Sequence, residues 1–155
     1  MTTAPGLHLA WKELHCWNRL GVPFLGIKPG GLVAPYPTDL RPTRGMTLGR
    51  IHERIRQECC ARAGREVPLI LDSAYRTYEY DKAVGGASSW HVKAGAMDLR
   101  RPELFAEEQF YAFVFESAQD PLSEIGGLGR YDWGCHVDCR PRGVSGVARW
   151  DYRRG

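Results

Sequence analysis

Two stretches decide the reading of this chain: His91-Val-Lys-Ala-Gly-Ala-Met-Asp98 and Cys135-His136-Val137-Asp138-Cys139. Side chains alternate faces along a strand, so His136 and Asp138 project to one side of the second stretch. Cys135, Val137 and Cys139 project to the other, an apolar side that can pack inward. The first stretch sets an imidazole and a carboxylate seven residues apart, and its second half, Ala94 to Leu99, reads as a returning strand.

Outward from these stretches, glycine and proline punctuate the chain. Leu48, Ile51, Ile55 and Cys59 recur at helical spacing and predict a helix over Thr47–Ala63, with Thr47 as its cap and Gly64 as its stop. Arg50, Glu53, Arg54 and Glu58 give it a solvated face. Val67–Leu71 is a short apolar run that reads as a buried strand, and a short helix follows over Thr77–Val84. Gly85 and Gly86 break the chain. Pro102 opens a second long helix reaching Ala118, with Leu104, Phe105, Phe110, Phe113 and Val114 available for the core. Short strands are expected near Leu128–Tyr131, Cys135–Arg140 and Ala148–Tyr152. The segment Gly21–Gly45, rich in proline and glycine, reads as a long irregular loop. The order of elements predicts an α+β domain in which a small antiparallel sheet is flanked by two longer helices.

Size and charge narrow the function. The 155 residues suit one domain, 1–155, and an apolar share of 43% with 25% charged residues excludes a disordered chain. A net charge of +3 is too weak to imply a nucleic-acid partner, yet it is compatible with a polyanionic surface such as a cell wall. No apolar run approaches the ~20 residues of a membrane span, so no membrane insertion is expected. The first twenty residues lack a basic segment followed by an apolar one, so no secretory signal is expected here. Cys16, Cys59, Cys60, Cys135 and Cys139 read as mostly reduced core residues. Cys135 and Cys139 on one strand would sit ~13 Å apart, beyond the ~7 Å a disulfide allows between Cα atoms.

Two histidines and a carboxylate brought together make a three-ligand zinc site with a position open for water. Zinc lowers the pKa of its water to about neutrality and polarises a carbonyl, the two requirements of amide hydrolysis. A further group must take the proton from that water. Trp90 and Trp133 adjoin these stretches and can wall a groove for sugar or peptide. His52, beside the apolar stripe of the first helix, reads as a surface or boundary residue, and His8 and His15 lie in the N-terminal segment with no functional reading. His15 beside Cys16 makes no credible nucleophile pair, and no phosphate loop or Ser/His/Asp order is visible.

Taken together, Ser73-Ala-Tyr-Arg-Thr77, Ala83-Val-Gly-Gly-Ala87, Ser89-Trp-His91 through Gly95-Ala96 to Asp98, Gly126-Gly-Leu-Gly-Arg-Tyr131, His136-Val-Asp138-x-Arg140 and Ala148-Arg-Trp150 resemble the zinc D-alanyl-D-alanine carboxypeptidase-like peptidases of peptidoglycan. Leu7 to Cys16 also resembles that family's N-terminal element. The resemblance implies a fold shared with lysostaphin-type enzymes and the hedgehog domain, and one zinc ion held by His91, Asp98 and His136. It implies that Arg76 holds the substrate carboxylate or polarises its carbonyl, and that Ser73 and Ser89 contact substrate or the residues around the site, with turn or cap hydroxyls as the alternative reading of both serines. Many relatives place an acidic residue or His three positions before the last ligand, where this chain has Trp133. Asp138 is then the expected base, or an orienting partner of a metal-bound histidine, and Asp132 is the next choice.

The expected activity is hydrolysis of an amide bond in peptidoglycan stem peptides, as in a D-Ala-D-Ala carboxypeptidase or endopeptidase. The alternative is a non-catalytic module of the same fold that binds wall peptide or a protein. A redox role resting on Cys59-Cys60 is a poor third. The expected setting is a monomer made in the cytoplasm that reaches the wall by phage delivery or at lysis.

Overall fold

The computed structural model describes residues 4–86 and 89–154, with the backbone but not the side chain of Ser89. Near the N-terminus a short helix α1 (Trp11–Leu14) leads to a two-stranded antiparallel ribbon, β1 (Cys16–Trp17) with β2 (Leu32–Ala34). The Gly21–Gly45 segment is therefore not wholly irregular. It holds β2, a 3-10 turn at Thr38–Leu40 and a π turn at Arg41–Gly45 that runs straight into α2 (Met46–Ala63). Thr47 lies inside that continuous coil and caps nothing; its hydroxyl accepts from Arg50 instead. Gly64 closes α2 as expected, at φ +67°, a left-handed conformation that glycine adopts without Cβ strain.

Val67, Leu69 and Leu71 are buried alternately, yet β3 covers only Leu71–Ser73, because pairing with β4 (Ala96–Arg100) begins there. Then come α3 (Tyr78–Ala83), capped by the Thr77 hydroxyl, and α4 (Ser89–Val92). The last long helix, α5 (Glu107–Gln119), starts five residues after Pro102. Gln109 accepts from the Ala106 N–H, and Glu107 and Glu108 suit the positive end of the helix dipole, so the start is set there. Residues 102–105 form a turn that leaves Leu104 exposed.

β5 (Gly127–Arg130), β6 (Gly134–Asp138) and β7 (Ala148–Asp151) complete a five-stranded sheet in the order β3-β4-β6-β5-β7. Its pairs are antiparallel except β5 with β7, so the sheet is mixed rather than purely antiparallel. One face of the sheet carries Met97, Leu99, Leu128, Cys135 and Val137, all buried, in the same core as Leu48, Ile51 and Ile55 of α2 and Phe110, Phe113 and Val114 of α5.

His52 is a correction. It is buried, not at the surface, because the coil over 65–70 folds across that flank of α2 and Leu69 O lies 2.8 Å from its Nε2. All five cysteines are free thiols; Cys16, Cys59 and Cys135 are buried and the other two partly so. Among the described residues no helix is long and apolar enough to cross a membrane.

Candidate metal centre

The strand register lines up one row across all five strands: Ser73 opposite Asp98, Asp98 opposite His136, His136 opposite Gly129, and Gly129 opposite Trp150. Asp98, His136 and Trp150 of this row line a cavity of about 590 Å³. A Cβ on Gly129 would collide with the Trp150 indole, so glycine there lets the indole lie beside His136, with ring centroids 5.1 Å apart.

His91 arrives from outside the sheet. Ala94 N–H donates to His91 O and Gly95 N–H to Trp90 O, the paired bonds of a Schellman ending. Ala94 itself takes the left-handed conformation at φ +60°, and its carbonyl is held by the Tyr36 hydroxyl at 2.6 Å. This tight reversal folds α4 back over β4 and places His91 Nε2 3.2 Å from Asp98 Oδ1. His136 Nδ1 lies 3.1 Å from the same oxygen. One ligand atom from each of the three buried residues thus falls within 4.8 Å of the others.

The outward nitrogens settle what this trio can hold. His91 Nδ1 faces Ala74 O at 2.6 Å, and a carbonyl only accepts, so that nitrogen carries the hydrogen. His136 Nε2 faces Asp138 Oδ2 at 2.8 Å, another acceptor. In neutral imidazoles both inward nitrogens are therefore bare lone pairs, and they point at a carboxylate. Three acceptors facing one another need a cation between them, and two imidazoles with one carboxylate are the donor set that suits zinc. The residues present fit the metal.

With a proton on each inward nitrogen in place of a metal ion, the same cluster holds together by charge: burial raises the Asp98 carboxyl, but the two protonated imidazoles outweigh it and hold it well below the usual carboxylate range. Burial would lower His136, but Asp138 and Asp98 raise it above its ordinary value. Asp138 has no exposed surface and, against its burial, is held down to about 2 by His136 and Arg140. Arg140 grips both its oxygens, Nε on Oδ1 at 2.8 Å and Nη2 on Oδ2 at 2.6 Å.

Arg76 reaches the cavity with its guanidinium braced on three sides. Nε donates to Ser73 Oγ at 3.0 Å, Nη1 to Asp81 Oδ1 at 3.1 Å, and Nη2 lies 3.6 Å from Asp98 Oδ2. Ser73 therefore touches Arg76, while the Ser89 side chain, like Ala87, lies outside the described residues. Trp90 and Trp133 both line the cavity. Asp132 is exposed, accepts from the Arg154 N–H, and does not line it.

Sequence reasoning gave no role to Asp81, Arg140, Tyr131, Trp150 or Tyr152, all of which brace or line the site. Arg140 had a signal in its place two residues beyond Asp138. Tyr131 had one in strand alternation, which sets it on the face of Gly129. Asp81 had none short of the fold.

No curated protein and no solved structure matches the chain. The family model described as Peptidase M15 matches residues 50–138, more than half the chain and the whole His91–Asp98–His136 set. On that match and on this donor set, the chain belongs to the Peptidase M15 family, the zinc-dependent metallopeptidases that its motifs resemble.

Proposed function

We propose that this chain hydrolyses an amide bond next to a D-amino acid in peptidoglycan stem peptides, D-Ala-D-Ala being the first bond to assay. The observation that carries the reading is the inward-facing acceptor trio of His91, Asp98 and His136, set beside a braced arginine. Zinc held by these three residues supplies an activated water and a polarised carbonyl. Arg76 pairs its fixed donor fork with a substrate carboxylate, and Asp81 with Ser73 keeps that fork from swinging away. Asp138 serves as the orienting partner of His136 rather than as a base, since its oxygens are already engaged and no solvent reaches it.

Trp90, Trp133, Tyr131 and Tyr152 all line the groove, with Trp133 and Tyr152 packed on Tyr131. Arg44, Lys93 and Arg140 surround the Trp90 ring at 4.8–5.9 Å, a basic rim suited to a peptide that carries free carboxylates. The likeness of fold to lysostaphin-type enzymes and the hedgehog domain belongs to this same reading.

The test is zinc content and a muropeptide digest read by mass spectrometry, for the native protein and for His136→Ala. The native protein should bind zinc and release a peptide or D-alanine; the variant should do neither. Equal zinc and equal cleavage in both overturns the reading.

One observation favours a second reading. Among the described residues lining the cavity Asp98 is the only carboxylate, and Trp133 stands where relatives place an acid. A zinc-loaded module that binds stem peptide without cutting it fits that feature. Full zinc occupancy, measurable peptide binding and no hydrolysis would select it.

A further inference from the structure

We propose that the Tyr131 hydroxyl donates the hydrogen bond that stabilises the oxygen of the scissile carbonyl as the bond is cut, an inference that rests on the peptidase reading. Tyr131 lines the same cavity as His91, Asp98 and His136, and strand alternation from Gly129 sets it on their side of the sheet. Its position is fixed on every side. The backbone N–H donates to Gly134 O at 3.0 Å across the turn into β6. The ring stacks on Trp133, with centroids 4.6 Å apart and planes 24° apart, and Tyr152 packs on it at 5.7 Å.

The phenolic oxygen accepts from Trp150 Nε1 at 3.0 Å. An indole nitrogen only donates, so this bond fixes the oxygen without using the phenolic hydrogen. No acceptor for that hydrogen exists among the described residues, and the hydroxyl belongs to a residue that borders the cavity.

Three of the other polar donors that line the cavity, Arg76, Arg140 and Tyr152, are less suited to this task. Arg76, anchored by Ser73 and Asp81, has its remaining donors assigned to the substrate carboxylate. Arg140 is locked two-pronged on Asp138. Tyr152 is 67% exposed, whereas Tyr131 is partly buried, where a hydrogen bond to developing charge is worth most.

In the step itself the oxygen of water bonds to the carbonyl carbon, and the π electrons move onto the carbonyl oxygen. The Tyr131 O–H bond to that oxygen strengthens as its charge grows. The C–N bond then breaks, the C=O re-forms, and one proton of the water ends on the departing nitrogen. The phenolic proton stays on Tyr131 throughout, so the residue is a donor and not a base.

Tyr131→Phe keeps the aromatic stack and removes only this donor. The expected result is a kcat on stem peptide lower by about 10²–10³-fold with KM within about twofold, the loss typical of one such donor. Zinc content should be unchanged. By calorimetry, the phosphinate isostere of D-alanyl-D-alanine, whose tetrahedral oxyanion imitates the charged intermediate, should weaken by a similar factor. Affinity for the product peptide, which has no tetrahedral oxyanion, should hold. A kcat within about threefold of native, or an equal loss of affinity for isostere and product, overturns the assignment. Should Tyr131→Phe fail to fold, Trp150→Phe is read the same way, with an expected kcat loss of about fivefold for one hydrogen bond removed from the phenolic oxygen. A zinc-loaded native protein that neither cleaves stem peptide nor binds the isostere overturns the peptidase reading and this assignment with it. An active native protein with an equally active Tyr131→Phe overturns this assignment alone.

Discussion

The two faces of the central sheet are buried to nearly the same extent and by opposite means. On one face Met97, Leu99, Leu128, Cys135 and Val137 lose water to packing. On the other, Asp98, His136 and Asp138 are 9%, 3% and 0% exposed, and every one of their polar atoms in the hydrogen-bond network meets a charged or polar partner. Residues of the two faces alternate along the same five-residue strands. The comparison teaches that burial does not mark core from site in this fold; the partner does. An apolar side chain here needs only volume, whereas each polar one needs a particular neighbour at a particular atom.

The difference can be broken first on the apolar face. Leu99→Ala should cost about 2–5 kcal/mol of stability, the range for a deleted leucine side chain in a packed core. Zinc bound per folded chain should not change. Denaturant melts with metal analysis of the folded fraction check both halves, and a loss of zinc at full folding would erase the distinction between the faces.

On the polar face Asp138→Asn keeps the shape and removes the charge that orients His136. Metal affinity should fall by about 10–100-fold, as for outer partners of metal-bound histidines. Competition with a chelator measures it. Melting of the zinc-saturated variant should stay close to native.

The smallest effect sharpens the comparison at a third place, where a polar group is buried among apolar ones. His52 has its Nε2 at Leu69 O, and its Nδ1 is buried with no partner among the described residues. Burial lowers its pKa from the ordinary 6.5, opposed by the bond to Leu69 O and then by Glu13 and Glu53, with Arg56 assisting. Above that ordinary value the ring is neutral folded and unfolded, and the stability is intact. As pH falls below it the unfolded chain takes up the proton first, so stability declines until the folded ring also titrates. Melting temperature should drop between about pH 7.5 and about pH 5.5, and less so in His52→Gln. Equal drops would assign the acid sensitivity elsewhere.

Local rules made part of this molecule legible in its sequence. The shared face of His136 and Asp138 follows from strand alternation alone, and Thr77 and Gly64 bound their helices by local chemistry. The resemblance supplied the three ligands. What stayed hidden depends on pairing between distant segments. Asp98 meets His136 only through the β4–β6 register, and β7 lies parallel to β5 because the chain crosses over between residues 139 and 147. Val67–Leu71 had the pattern of a strand but finds a partner only at its last residue. Pro102 competed with the Ala106–Gln109 cap for the start of α5 and lost. The brace of Arg76 by Asp81 joins β3's exit to a helix and has no sequence signature.

The row from Ser73 to Trp150 has one more implication, for the life of the chain during synthesis. Its five members come from five strands gathered across half the polypeptide, and the last arrives with β7. A nascent chain still threaded through the ribosome at that point has no finished row, however well its earlier helices have formed. The indole beside His136 thus joins the site only once β7 has paired with β5.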